Sequence, residues 1–215
     1  MSTLDQKTLK PLLRGHFHQA AFFFALGACA MLITKANSKT SLIAALIYSL
    51  SLITLFGISS LYHRPNWKPT PRMWMRRLDH AAIYILIAGT STPICLLALP
   101  LTEGMKLLQL VWGAAIFGIF QSLFWVNGPK WVSSILYVVA GLLVIPFMSE
   151  LKMVLSSMQI QLILSGGALY IIGAVIYAIK RPNPYPLYFG YHEIFHLLVI
   201  AAAILHFLAV SPLVK

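Results

Sequence analysis

The chain has 215 residues, of which 59% are hydrophobic and only 10% are charged, and its mean hydropathy is +0.81. These values exclude a soluble globular domain, because a soluble surface needs far more polar side chains. The formal net charge of +11 does not indicate nucleic-acid binding, since the basic residues are scattered in short segments between apolar blocks. The composition therefore favours a polytopic membrane protein.

Seven apolar blocks follow one another, each close to the length of about 20 residues that a helix needs to cross a bilayer. They predict spans at 17–34, 41–63, 79–100, 106–126, 131–149, 159–179 and 190–210. The fifth block is the weakest because Pro146 and a polar patch follow it, and a six-span bundle is the alternative. The expected fold is an all-α integral membrane protein, one seven-transmembrane helix bundle that occupies residues 1–215.

Basic residues in the short connections predict the orientation of the bundle, because loops rich in Lys and Arg stay in the cytoplasm. The N-terminus and alternate loops contain Lys7, Lys10, Arg14, Arg64, Lys68, Arg72, Arg76, Arg77, Lys130, Lys180 and Arg181. The opposite side contains Lys35, Lys39, Lys106, Lys152 and Lys215. This asymmetry predicts a cytoplasmic N-terminus and an external C-terminus.

Polar and ionisable residues gather at three span ends, which this topology brings to the cytoplasmic leaflet. They are Ser59 and His63 in the second span, Asp79 and His80 in the third, and His192, Glu193 and His196 in the seventh. Ionisable residues inside a membrane are costly and mark function by default. The three span ends therefore predict one functional site at a single depth.

The spacing of the histidines indicates a metal site. His192 and His196 are four residues apart and so share one helix face, where two imidazoles can bind one Zn²⁺. His63 can supply a third nitrogen from the second span. Three protein ligands and an open fourth position are typical of a catalytic zinc site, in which the metal lowers the pKa of a bound water.

Two further side chains are candidate catalytic residues. Ser59 lies one turn before His63 on the same helical face, and Asp79 can orient the water or hold its proton. A hydrogen bond from Ser59 to its own helix, or a pair of Asp79 with a neighbouring arginine, is the structural alternative. His80 points about 100° away from Asp79 and is expected to be structural.

The remaining histidines are not expected to reach the metal. His16 and His18 precede the first span and are expected to face lipid headgroups, whereas His206 lies too far along the seventh span. The aromatic residues near this membrane surface are expected to form an interfacial belt. Its members are Trp67, Trp74, Tyr185, Tyr188, Phe189 and Tyr191.

Taken together, these motifs resemble the hemolysin III family, the bacterial branch of the progestin and adipoQ receptor superfamily. The similar segments are Ser59-Ser60-Leu61-Tyr62-His63, Leu78-Asp79-His80, Ala88-Gly89-Thr90-Ser91-Thr92-Pro93 and His192-Glu193-Ile194-Phe195-His196. The resemblance covers essentially the whole chain. It departs at Ser91, where the family pattern leads us to expect Tyr, and this difference concerns the packing of the third span.

The resemblance implies a zinc ion held by His63, His192 and His196, with Asp79 and Ser59 beside the metal-bound water. It also implies a multi-pass protein of the bacterial cytoplasmic (inner) membrane with a role in membrane lipid homeostasis. The superfamily is similar to alkaline ceramidases, so a membrane lipid is the expected substrate or ligand and an amide or ester the expected bond.

Two other functions remain open at this point. One is a non-enzymatic receptor-like or lytic membrane protein in which zinc only ties two helices together. The other is a metalloprotease, because His192-Glu193-Ile194-Phe195-His196 also fits the pattern H-E-x-x-H, whose Glu is a general base. A retinal protein is excluded, since no lysine lies between Gly190 and Val210 to form a Schiff base.

Overall fold

The computed structural model describes residues 10–125 and 127–215, which form helices joined by short connections and contain no β-strand. Two details of the sequence-based predictions lie outside the described residues. These are Lys7 of the charge count and residue 126, the last residue of the fourth predicted span.

The described residues form eight α-helices and one 3-10 turn. They are α1 (His16–Thr34), α2 (Lys39–His63), α3 (Pro69–Leu97), α4 (Leu101–Phe124), α5 (Lys130–Leu142), α6 (Met148–Val154), α7 (Ser157–Ile179) and α8 (Tyr191–Val210). The turn Ile145–Phe147 joins α5 to α6, and these elements together form one span, Trp131–Val154. Within the described residues seven segments are thus long and apolar enough to cross a membrane, which confirms the predicted all-α, seven-span architecture.

The fifth span is broken where its sequence is weakest. Pro146 has no backbone N–H, so a continuous helix would lack a hydrogen bond there and its ring would crowd the preceding turn. Accordingly α5 ends at Leu142, the 3-10 turn contains Pro146, and α6 begins at Met148. The segment Trp131–Val154 is still long and apolar enough to cross a membrane as a single span, so the seven-span prediction holds over the six-span alternative.

Helix α3 begins ten residues earlier than the apolar block. Pro69 stands in its first turn, where a missing N–H costs nothing, and the helix then continues through Arg72 and Arg76 before it reaches Asp79. The apolar pattern indicates only the part of the helix that lies in lipid, whereas the helix itself extends further towards the N-terminus. Asp79 is consequently held in the middle of a continuous helix rather than at its frayed start.

Small residues allow the helices to approach closely. A Cβ atom at Gly89 of α3 would collide with Ser51 of α2, and one at Gly118 of α4 would collide with the ring of Tyr84. Such contacts are typical of membrane bundles, where close packing replaces the hydrophobic effect as the force between helices. They fix α2, α3 and α4 against one another and so position α2 and α3 relative to the site.

One end of the bundle is strongly basic, and we call it the basic end: here α1, α3, α5 and α8 begin and α2, α4 and α7 end. Its described basic residues include Lys10, Arg14, Arg64, Lys68, Arg72, Arg76, Arg77, Lys180 and Arg181. The segment before α1 is fixed to the loop before α8, because the Leu12 N–H donates to the Leu187 carbonyl oxygen at 2.9 Å. The Leu13 N–H likewise donates to the Tyr188 carbonyl oxygen at 3.2 Å.

Candidate metal centre

Three imidazoles from two helices meet at the basic end. His63 is the last residue of α2, whereas His192 and His196 lie one turn apart in the first turns of α8. All three side chains are buried. The Nε2 atoms of His63 and His192 are 3.2 Å apart, and the ring centroid of His196 lies 5.0 Å from that of His63 and 4.6 Å from that of His192.

The arrangement fits a tetrahedral metal ion. One ligand atom from each histidine lies within 4.8 Å of the others. Tetrahedral zinc with Zn–N bonds of about 2.0–2.1 Å places two ligand nitrogens roughly 3.3–3.4 Å apart, close to the His63–His192 separation. The buried Nδ1 atom of His196 also has no hydrogen-bond partner among the described residues, and a buried polar atom without a partner is costly.

The carboxylate of Asp79, on α3, faces the three-histidine cluster. Its Oδ2 atom lies 3.7 Å from Nε2 of His63, the same nitrogen that faces His192. This distance is too long for a direct hydrogen bond but suits a contact through one water molecule. Ser59, one turn before His63, is buried and interacts with the Asp79 carboxylate. The structure therefore brings together all five residues that the sequence nominated.

Glu193 has a different position from the one the protease pattern requires. One of its carboxylate oxygens pairs with Nε of Arg14, and the other accepts a hydrogen bond from the Gly190 N–H at 2.8 Å. The side chain is fully buried. Because both oxygens are engaged in holding the start of α8 to the segment before α1, Glu193 serves as a helix cap and ion-pair partner.

The prediction for His18 is wrong. Its ring is buried rather than exposed to headgroups, and it stacks on His196 with ring centroids 3.8 Å apart and an interplanar angle of 9°. Helix α1 begins at His16, so His18, two residues later, is already part of the helix and faces the bundle interior. His16, by contrast, is half-buried and contacts the Arg64 guanidinium. His206 is confirmed to be outside the cluster, with its ring against the Ile163 carbonyl oxygen at 3.1 Å.

A narrow apolar cavity begins at the histidines and extends along the bundle. It has a volume of about 170 Å³ and lies between α3, α5, α7 and α8. On α3 its lining positions extend from Asp79 to Ile94, about 22 Å along a helix. Apart from the residues at the basic end, its walls are mainly aliphatic and aromatic. Ser91, where the family pattern led us to expect Tyr, lies on this wall. Its hydroxyl donates to the Ile87 carbonyl oxygen of its own helix at 3.0 Å and is therefore not left unpaired.

A second, wider cavity opens at the basic end, and we call it the vestibule. Its volume is about 940 Å³, and its basic lining residues are Lys10, Arg14, Arg72 and Arg76. Four residues line both the apolar cavity and the vestibule, namely Asp79, His80, Tyr177 and His192. The candidate metal centre consequently lies at the junction between an apolar and a basic compartment.

Sequence reasoning missed three contributors to this centre. They are Arg14, which pairs with Glu193, His18, which stacks on His196, and Tyr177, whose ring centroid lies 5.4 Å from that of His192. Arg14 precedes the first apolar block and His18 lies at its edge. At such positions the sequence pattern predicts that a polar side chain faces the membrane surface. Tyr177 lies near the end of α7, where a tyrosine is typical of a membrane interface and gives no separate signal. His80, expected to be structural, lines both cavities.

These features define the class of protein: a seven-span helical membrane protein with a buried three-histidine cluster at its basic end. The model of the family described as Haemolysin-III related matches residues 6–207. The chain belongs to this family.

Curated relatives agree with this assignment. The chain is 30% identical over 213 residues to Hemolysin-3 of Bacillus cereus, covering 98% of this chain and 94% of that protein. It is 34% identical over 182 residues to the Hemolysin-3 homolog of Bacillus subtilis (strain 168), covering 84% and 82%. A more distant similarity, 26% over 196 residues, links it to the Monocyte to macrophage differentiation factor of Homo sapiens, covering 86% and 76%. The chain is therefore a multi-pass membrane protein of the haemolysin III type.

Proposed function

We propose that this protein is a zinc-dependent hydrolase of the bacterial cytoplasmic membrane that cleaves an amide or ester bond in a membrane lipid. The observation that supports this proposal most is the position of the three-histidine cluster, with Asp79 beside it, at one end of an elongated apolar cavity. His63, His192 and His196 would hold the ion. Zn²⁺ in such a site supplies Lewis acidity, which polarises a carbonyl group and acidifies water.

The chain's own residues then have distinct roles. The apolar cavity binds the acyl chain and orders it along α3, so that its carbonyl end lies at the junction with the vestibule. Asp79 Oδ2 accepts a proton from the attacking water, and the water oxygen forms a bond to the carbonyl carbon. The carbon–nitrogen or carbon–oxygen bond then breaks, and the leaving group takes the proton from Asp79.

Ser59 and the protein walls support that proton transfer. Ser59 interacts with the Asp79 carboxylate and thereby orients it towards His63. Burial of the centre excludes bulk water from the apolar side, which strengthens electrostatic interactions there. The engaged carboxylate of Glu193 does not favour the metalloprotease alternative, and the apolar cavity walls do not favour a water-filled pore.

The test uses protein purified in a neutral detergent and matched lipids that bear the same fluorescent acyl chain through an amide or an ester. Zinc content is measured by mass spectrometry and fatty acid release by chromatography. The wild type should contain zinc and release fatty acid, whereas Asp79→Asn should keep its zinc and lose about 10²–10⁴-fold in rate. Glu103→Gln, which changes an acidic residue at the opposite end of the bundle that lines neither cavity, is the matched control and should retain activity.

Two outcomes would contradict the proposal. Wild-type protein that retains zinc but releases no fatty acid from any amide or ester would support a structural ion, as in a receptor-like or lytic protein. Equal rates for the wild type and Asp79→Asn would remove the assigned role of the carboxylate.

A further inference from the structure

The basic residues of the vestibule converge on one cavity from separate elements. Arg72 and Arg76 lie one turn apart on the same face of α3, and Lys10 belongs to the segment before α1. The Lys10 amine donates to the Arg64 carbonyl oxygen at 2.9 Å. Burial, followed by the charges of Arg14, Arg64 and Arg72, lowers the pKa of Lys10. The vestibule is therefore a place where positive charges lie close to one another.

Little negative charge balances them. Within residues 10–125 and 127–215, no carboxylate forms an ion pair with Lys10, Arg72 or Arg76. Asp79 faces His63 at the floor of the vestibule, and Glu193 is taken by Arg14. The other two described acidic residues, Glu103 and Glu150, lie near the opposite end of the bundle. The preference for basic residues in cytoplasmic loops explains how many cations are present but not why they line a cavity.

The vestibule also adjoins the apolar cavity at the candidate metal centre. Asp79, His80, Tyr177 and His192 line both spaces, so a molecule that occupied both would pass beside the histidines. The apolar part is long and narrow, about 170 Å³ in volume with lining positions spread over about 22 Å of α3. These proportions suit one extended acyl chain rather than a lipid with two chains.

We propose that the vestibule binds a phosphate headgroup, and that the substrate is a single-chain acyl phospholipid whose linkage lies at the three histidines. This inference rests on the proposed hydrolase function, because it places the scissile bond between the two compartments. A phosphate offers several acceptor oxygens that cations from two separate elements can bind at once, whereas a neutral headgroup would leave those cations without an anionic partner. The guanidinium groups of Arg72 and Arg76 present several donors each, in a fork geometry that matches phosphate.

Binding is measured with ether-linked probes, which cannot be hydrolysed and so report affinity independently of turnover. The set consists of 1-O-hexadecylglycerol 3-phosphate, 1-O-hexadecylglycerol, which lacks the phosphate, and glycerol 3-phosphate, which lacks the chain. Titrations use full-length zinc-loaded protein in a neutral detergent. The phosphate lipid should bind about tenfold more tightly than each of the other two probes, and its affinity should fall as salt is added.

The double variant Arg72→Gln/Arg76→Gln should lose about tenfold in affinity for the phosphate lipid and none for 1-O-hexadecylglycerol. Arg181→Gln removes one charge from the same end of the bundle, at an exposed position outside both cavities, and should bind like the wild type. Zinc content and the unfolding temperature of each variant show whether the fold is retained.

Three results would overturn the inference. The first is equal affinity for the phosphate lipid and for 1-O-hexadecylglycerol. The second is equal affinity for the phosphate lipid and for glycerol 3-phosphate. The third is a loss of affinity for the phosphate lipid in Arg181→Gln as large as that in the double variant. The second would indicate a soluble anion and the third a general surface-charge effect. The failures of the two proposals can be distinguished. Cleavage of neutral lipids without a preference for phosphate would contradict only the proposed headgroup site. Selective binding of the phosphate lipid without cleavage of any lipid would contradict only the proposed hydrolase activity.

Discussion

The ring of His18 lies flat against the ring of His196, with centroids 3.8 Å apart, and so holds one of the three clustered histidines from the side. His18 belongs to α1, whereas the clustered histidines belong to α2 and α8. Its second neighbour, Phe56 of α2, packs edge-on with ring centroids 5.2 Å apart. His18 thus limits how far His196 can rotate, although it is not a member of the cluster.

Replacement of His18 should therefore weaken metal binding without removing a ligand. We expect His18→Ala to lower zinc affinity by about 10–100-fold, the range that loss of a residue supporting a ligand typically costs. His18→Phe should restore most of the affinity, because a phenyl ring keeps the stack on His196. Competition with a fluorescent zinc chelator measures both. If His18→Phe were as weak as His18→Ala, stacking would not be the reason.

Removal of a clustered histidine should abolish stoichiometric zinc. His63→Ala and His192→Ala are each expected to hold less than a tenth of the zinc found in the wild type, because two nitrogens seldom retain the ion against chelators. His206→Gln is the matched control, since His206 contacts the Ile163 carbonyl oxygen away from the cluster. Metal analysis of purified protein after dialysis against a mild chelator gives the result. Unchanged zinc in His63→Ala would place the ion elsewhere.

Replacement of Glu193 should affect stability more than chemistry. Glu193→Gln removes the charge that pairs with Arg14, and loss of one partner from a buried ion pair costs about 3 kcal/mol. We expect a lower unfolding temperature, retained zinc and near-normal turnover per folded molecule. Thermal unfolding followed by tryptophan fluorescence, together with the fatty-acid assay, separates the two effects. Complete loss of turnover at an unchanged unfolding temperature would instead support a metalloprotease-like general base.

The glycine contact between α2 and α3 should be sensitive to a single methyl group. Gly89→Ala places a Cβ atom against Ser51, whose hydroxyl already donates to the Tyr48 carbonyl oxygen at 2.7 Å, so a destabilisation of about 1–3 kcal/mol is expected. Gly113→Ala is the control, because among the described residues no atom beyond its chain neighbours and the nearby backbone of its own helix lies within 4 Å of a Cβ there, and this variant should be neutral or slightly stabilised. Unfolding temperatures in detergent provide the comparison. Similar values for both variants would contradict the close approach.

The sequence predicts the spans well because each span is defined by its contact with lipid, which requires a long apolar block. It predicts the position of Asp79 less well: α3 begins at Pro69, in a basic segment that carries no apolar signal. The break at Pro146 follows from the missing N–H. Whether a second helix continues the span depends on contacts with other helices, which the sequence around Pro146 does not predict.

The meeting of His63, His192, Asp79 and Ser59 was predictable because alternate spans return to the same side and only a few polar residues lie at that depth. The stacking of His18 on His196 and the pairing of Arg14 with Glu193 were not. Both involve residues from the start of α1 or the segment before it, and their partners are about 180 positions later. Such contacts depend on the angle at which α1 packs on the bundle. The periodicity of the α1 sequence does not predict this angle.

The clustered histidines come from the second and the seventh of the spans found in residues 10–125 and 127–215, and His63 and His192 are 129 positions apart. During synthesis the chain emerges from its N-terminus, so four spans enter the bilayer between the span that carries the first imidazole and the span that carries the second and third. A partial product of translation that ends before α8 cannot form the centre, because it lacks His192 and His196. If this cluster binds a metal ion as proposed, binding would therefore require that α2 and α8 have both entered the bundle, and a chain truncated before α8 would lack two of the three histidines.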